Sequence, residues 1–205
     1  MGRKMTTLSK FDEVSRLLAP SLKNTELEKP QLIIAFSGIP GAGKSRLSKM
    51  LEERYHGVRV GNDSIRAILH HQEFSLSDEE KETFLQDYNE FFIRNYPFTN
   101  KLLILDKSMD RQYKRFFPVF DELGLKHFII RIEIGKEEAI QRILNREEID
   151  PNYLRTNMER WQREFEDFGK NAHYDLLLDG LNPNMNFVYR KIDKLLLQKP
   201  LNSFS

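Results

Sequence analysis

The chain has 205 residues, 40% hydrophobic and 31% charged, the balance of a folded domain of ordinary size and not of a disordered tract. Lysine and arginine number 32 against 31 aspartates and glutamates, a net charge of +1 that excludes gripping long nucleic acid through a broad positive surface. Cysteine is absent, which excludes disulfides, thiolate nucleophiles and cysteine-ligated metal.

Residues 6–19 place Leu8, Phe11, Val14, Leu17 and Leu18 at helical spacing, and Pro20 ends that helix. A polar connector reaches Pro30. Gln31–Phe36 reads as a buried strand broken at Ser37-Gly38, and a helix follows from Lys44 to about Tyr55. This apolar run is far shorter than the ~20 residues that cross a bilayer, and no secretory leader is recognisable, so a cytoplasmic protein without a membrane partner is expected. Val58–Val60 is a short strand candidate and Asp63–His71 a helix. Ser77-Asp78-Glu79-Glu80 has the spacing of a capping box and opens a helix to about Tyr96. Leu102–Leu105 is a second buried strand, followed by a helix from about Asp110 to Leu123 that Gly124 stops. Phe128–Ile134 is a third strand, followed by a helix over Lys136–Glu147. Asp150-Pro151 opens another helix to about Phe168, Tyr174–Leu178 is the last strand, and Val188, Ile192, Leu195 and Leu196 mark a terminal helix. Short strands alternating with helices imply β-α-β crossovers and a parallel sheet. The predicted architecture is α/β: a five-stranded parallel sheet with helices on both faces and ligands beyond the carboxyl ends of the strands.

Gly38-Ile39-Pro40-Gly41-Ala42-Gly43-Lys44-Ser45 fits G-x-x-x-x-G-K-[ST], between an apolar strand and an amphipathic helix. A glycine-rich turn could match by chance, but the strand–loop–helix context is the one the chemistry needs. Glycines let successive N–H groups converge on phosphate oxygens, and the helix directs its positive end to the same place. Lys44 is placed to reach the β- and γ-phosphates of a nucleoside triphosphate, and Ser45 to ligand Mg2+. This is a P-loop fold.

Other P-loop classes leave different marks. A GTPase switch needs a glycine where the chain reads Asp106-Lys107-Ser108-Met109, and guanine recognition needs an aspartate that Asn100-Lys101-Leu102-Leu103 lacks. A mechanical ATPase pairs aspartate with glutamate at a strand end, whereas Asp106 is followed by lysine. Transfer of the γ-phosphoryl of ATP to an acceptor hydroxyl remains.

Three further segments carry a resemblance. Gly61-Asn62-Asp63-Ser64-Ile65-Arg66 resembles the D-x-x-R element of P-loop kinases related to polynucleotide 5′-kinase, zeta toxin and chloramphenicol phosphotransferase. Leu103-Ile104-Leu105-Asp106 is similar to that group's strand ending in aspartate, and Arg142-Ile143-Leu144-Asn145-Arg146 to its lid R-x-x-x-R. The likeness runs from about residue 31 to 180, so residues 1–30 are expected to form an N-terminal helical extension and 31–205 the kinase domain. The resemblance implies that Asp63 is the general base, that Arg66 holds an anionic part of the acceptor, that Arg146 and Arg142 neutralise the transferred group, and that Asp106 orients the acceptor or a magnesium-bound water. Simpler roles stand beside these. Asp63 could cap its helix, Arg66 could be a solvated surface residue, Arg142 and Arg146 could form a surface pair beside Glu138 and Glu147, and Asp106 could merely end its strand. The chain departs from the group in lacking its Asp-Ala-Thr-Asn and in having a short lid before Pro151.

The acceptor is read in three ways. Lys107, Arg111, Lys114 and Arg115 at helical spacing favour an anionic acceptor and hence a nucleic acid 5′ end; the alternatives are a small hydroxyl compound, or a regulatory nucleotide-binding module with little turnover. Residues 73–98 are expected to form a wall of the acceptor cleft. Their Phe74, Phe84, Tyr88, Phe91, Phe92, Tyr96 and Phe98 stack a base or, at helical spacing, fill core. Glu73, Asp78, Glu79, Glu80, Glu82, Asp87 and Glu90 make that stretch acidic.

Overall fold

The computed structural model describes residues 7–18, 32–71, 76–95, 102–146 and 148–197. Strands β1 (Leu32–Ser37), β2 (Val58–Gly61), β3 (Leu102–Ser108), β4 (His127–Glu133) and β5 (Leu176–Asp179) form one sheet in the order β2-β3-β1-β4-β5, every pair parallel. The helices are α1 (Thr7–Leu18), α2 (Lys44–Tyr55), α3 (Asn62–His71), α4 (Asp78–Asn95), α5 (Tyr113–Glu122), α6 (Lys136–Leu144), α7 (Pro151–Asn171) and α8 (Met185–Leu197). The expected α/β architecture is present.

The central strands are apolar throughout because both faces are covered. Side chains alternate across a strand, so Ile33 and Ala35 of β1 join Leu103, Leu105 and Ile129 in a core beneath α1, α3, α4, α5 and α7. Leu32, Ile34 and Phe36 join Ile104 and Ile130 in a second core beneath α2 and α8. A third cluster ties Ile39, in the loop after β1, to Ala139, Ile140 and Ile143 of α6 and to Leu154 and Met158 of α7.

The aromatics of α4 are core. Phe84, Tyr88 and Phe92 are buried, and Phe11 of α1 packs edge-on to Phe84 and Tyr88, with ring centroids 4.9 and 5.7 Å away. Ser15 and Tyr88 share a 2.9 Å hydrogen bond. The start of α4 is closed by the expected capping box: the Ser77 N–H donates to Glu80 and the Glu80 N–H to the Ser77 hydroxyl. Phe74, Tyr96 and Phe98 lie outside the described residues.

Two expected helices differ. The helix expected from Asp110 is first a 3-10 turn over Met109–Arg111, and α5 begins at Tyr113. The Asp110 carboxylate accepts the Gly38 N–H at 3.0 Å and the Ser108 hydroxyl, and this tertiary tie holds the chain off the helical path. The helix expected to reach Glu147 ends at Leu144, where the Arg146 N–H closes onto the Ile143 carbonyl, so Arg142 is helical and Arg146 lies in the following turn. Asp150 caps α7 by accepting the Asn152 N–H.

Candidate active site

The loop Gly38–Ser45 crosses from β1 to α2 at the carboxyl edge of the sheet. Gly41 has φ +85° and Gly43 φ +101°, left-handed values open to glycine. A side chain on Gly41 would place its Cβ 2.6 Å from the Ala139 carbonyl oxygen, so the loop lies directly on α6. The Ala42 N–H turns back to the Ile39 carbonyl, Ile39 is buried, Pro40 is half-buried, and α2 starts at Lys44. The positive end of α2 and the converging amides make an anion-binding concavity.

Lys44 folds under this loop. Its ammonium donates to the Gly38 carbonyl at 2.5 Å and to the Ile39 carbonyl at 2.9 Å. Burial pushes its pKa down to about 8; Asp110 and Asp106 pull the other way, while Arg111 and Arg146 add to the lowering. Two carbonyl oxygens only partly support the charge of a buried ammonium, which an anion would complete. Ser45 is exposed in the first turn of α2, and Asp110, buried and anchored to Gly38, keeps Oδ1 without a hydrogen-bond partner. These hard oxygens beside a phosphate cradle fit Mg2+.

The next strand ends carry the other candidates. β1 and β3 pair Ala35 with Leu105 but Phe36 with Ser108, so Asp106 and Lys107 form a bulge that β1 does not match. The Asp106 side chain is 7% exposed and accepts from the Arg59 guanidinium at 2.8 Å, while Arg59 also donates to Glu52 at 2.7 Å. Lys107 points the other way, buried, its ammonium 3.4 Å from the centroid of the Phe116 ring and its pKa pushed well below the ordinary value by burial and then by Arg115.

Gly61 pairs with Asp106 across β2 and β3, which puts Asp63, in the first turn of α3, at the same edge. Its side chain is 93% exposed and accepts from Arg66 at 3.2 Å. Arg66 also donates to Glu82 of α4 at 2.8 Å. Asp63 therefore lies within its helix and not at its cap, and Arg66 has two carboxylate partners.

The lid arginines separate. Arg142 donates to the Gly180 carbonyl at 3.1 Å and to Glu138 at 3.2 Å, and lines a cavity of about 420 Å3 with Gly43, Leu47, Met50, Leu178 and Asn182. Arg146 is exposed beyond the helix end, and its charge bears on Lys44.

Of the basic run after Asp106, Lys107 is buried, Arg115 bonds Asp87 and Glu90 at 2.8 Å each, and Lys114 lies 5.5 Å from the Tyr113 ring. Their helical spacing does not form a basic track. Asp110, expected only as a helix start, and Arg59 and Gly180 join the site through the fold; the aspartate four residues after Asp106 is the one sign of them in the sequence.

Residues 33–169 match a family described as an AAA domain. The chain belongs to this family of P-loop kinases. Its fold is similar to a gluconokinase from Sinorhizobium meliloti 1021, at 13% identity and TM-score 0.54, over 82% of this chain and 93% of that one. It is also similar to the deoxyadenosine kinase of M. mycoides, at 13% identity and TM-score 0.51, over 80% of this chain and 97% of that one. No curated protein matches the chain in sequence. At these identities the likeness is one of fold. No helix among the described residues is long and apolar enough to cross a membrane.

Proposed function

We propose that this protein transfers the γ-phosphoryl group of Mg-ATP to a hydroxyl of a small molecule. The observation that carries the choice of acceptor is the charge of the α3–α4 flank. Asp63 is open to solvent, Arg66 is held between Asp63 and Glu82, and Arg115 is occupied by Asp87 and Glu90. A polynucleotide backbone needs several unpaired cations along its path, and this flank presents carboxylates. The two similar kinases bear names of small-molecule acceptors, gluconate and deoxyadenosine, which supports the same reading.

In this mechanism the amides of Ile39, Gly41, Gly43, Lys44 and Ser45 surround the phosphates, Gly38 and Ala42 shape the loop through their bonds to Asp110 and Ile39, Pro40 stiffens the turn, and the base enters the cavity beside Arg142. Lys44 leaves its carbonyl partners for the β- and γ-phosphate oxygens. Ser45 and Asp110 would hold the Mg2+, which would supply charge neutralisation to the phosphates. Asp63 takes the hydroxyl proton as the acceptor oxygen bonds to the γ-phosphorus and the bond to the bridging oxygen of ADP breaks. Arg66 fixes the acceptor, Arg146 neutralises charge on the group in flight, and Asp106 positions the acceptor flank through Arg59.

The test is transfer of label from ATP to a panel of 5′-hydroxyl oligonucleotides, nucleosides, sugars, polyols, aminoglycosides and phenicols. Labelling of small compounds is expected. Labelling of oligonucleotides alone overturns the acceptor reading, and ATP binding without transfer to any acceptor favours a regulatory module. Asp63→Asn is expected to lower transfer at least 100-fold while leaving ATP affinity within twofold; an active Asp63→Asn protein removes Asp63 as the base.

A further inference from the structure

Arg111 stands apart from the other basic residues after β3. It lies in the 3-10 turn immediately after Asp110, and Asp110 hangs from the phosphate loop through the Gly38 N–H. The Arg111 guanidinium forms an ion pair with Glu164 of α7 at 2.9 Å and lies 5.6 Å from the ring of Trp161, which packs against the cluster containing Ile39. Arg111 is thus suspended between the loop and α7, its side chain 44% exposed. Among the charges around Lys44, only that of Asp110 outweighs it.

Four buried polar atoms border this turn without hydrogen-bond partners among the described residues: Asp110 Oδ1, Gln112 Oε1, Trp161 Nε1 and Glu164 Oε2, the last held only by its ion pair with Arg111. Buried polar atoms are rarely left unpaired, and these belong to the residues before and after Arg111 and to the two α7 residues that its guanidinium meets. A partly exposed arginine–glutamate pair contributes little to stability, so exchanging Glu164 for a terminal phosphate costs little and gains a charge-assisted contact.

Resting on the kinase reading above, we propose that Arg111 is the residue that reads the γ-phosphate, leaving Glu164 when a triphosphate binds and staying on it when a diphosphate binds. Arg146 then serves the phosphoryl group in flight, and Arg111 distinguishes the loaded nucleotide from the spent one.

The test needs no acceptor. Calorimetry in Mg2+ measures affinities for ADP and for a non-hydrolysable ATP analogue in the wild type, Arg111→Gln, Arg111→Lys and Glu164→Gln, with thermal melts confirming folding. Arg111→Gln is expected to keep ADP affinity within about twofold and to weaken analogue binding about 10- to 100-fold. Arg111→Lys is expected to restore part of that loss, and Glu164→Gln to bind the analogue at least as tightly as the wild type. Unchanged analogue affinity in Arg111→Gln, or equal weakening of both nucleotides, overturns the proposal while leaving the kinase reading intact. A wild type that binds neither nucleotide overturns both.

Discussion

The phosphate loop and the acceptor flank lie at the same edge of one sheet and are built on opposite principles. The loop is a backbone device: glycines at φ +85° and +101°, an amide tied to Asp110, and a bed of α6 atoms beneath Gly41. The flank is a side-chain device: Asp63, Arg66 and Glu82 meet at the surface across two helices and are held by little except one another. Rigidity is placed where phosphates are held, and freedom where an acceptor must enter, exchange partners and leave.

Substitutions that give each region the other's character test this contrast. The largest effect is expected from Gly41→Ala, where left-handed strain is joined by a backbone collision. It should cost about 3 kcal/mol of stability and abolish measurable nucleotide binding, whereas Gly43→Ala, with open space around its Cβ, should cost about 1–2 kcal/mol. Urea unfolding of the two variants decides it; equal costs would show that the α6 bed is not rigid.

Asp106→Ala should cost about 1–2 kcal/mol, because it strips the half-buried Arg59 guanidinium of one of its two carboxylates. Asp63→Ala should change stability by less than about 0.5 kcal/mol, its carboxylate being exposed. The same unfolding midpoints separate a structural aspartate from one available for chemistry.

Lys44 gives the contrast a pH dependence. With its pKa pushed down to about 8, chiefly by burial, the ligand-free protein releases the proton early and phosphates restore it. Nucleotide affinity should therefore fall as pH rises above about 8, by at most about tenfold per unit, with proton uptake on binding. The ligand-free fold should gain stability over the same rise, since the unfolded chain keeps that proton to the ordinary value of 10.5. Calorimetry between pH 7.5 and 9.5 in buffers of different ionisation heat measures the uptake. An effect confined to stability is expected from Ser77→Ala, which opens the capping box of α4 at a cost of about 1 kcal/mol and leaves nucleotide affinity unchanged.

The sequence by itself determined the parallel sheet, the phosphate loop and the capping box, because each follows from residues close together in the chain. Apolar runs between helices require a sheet covered on both faces, and glycine spacing before Lys44-Ser45 requires a curled loop. Only the tertiary structure decided what the charged residues do. Asp106 pairs with Arg59, Lys107 turns into the core, Arg142 and Arg146 part at the helix end, and Asp110 leaves its expected helix to hold Gly38. A charged side chain settles on whichever partner lies within about 3 Å, and spacing along the chain does not fix that partner when it comes from another strand or helix.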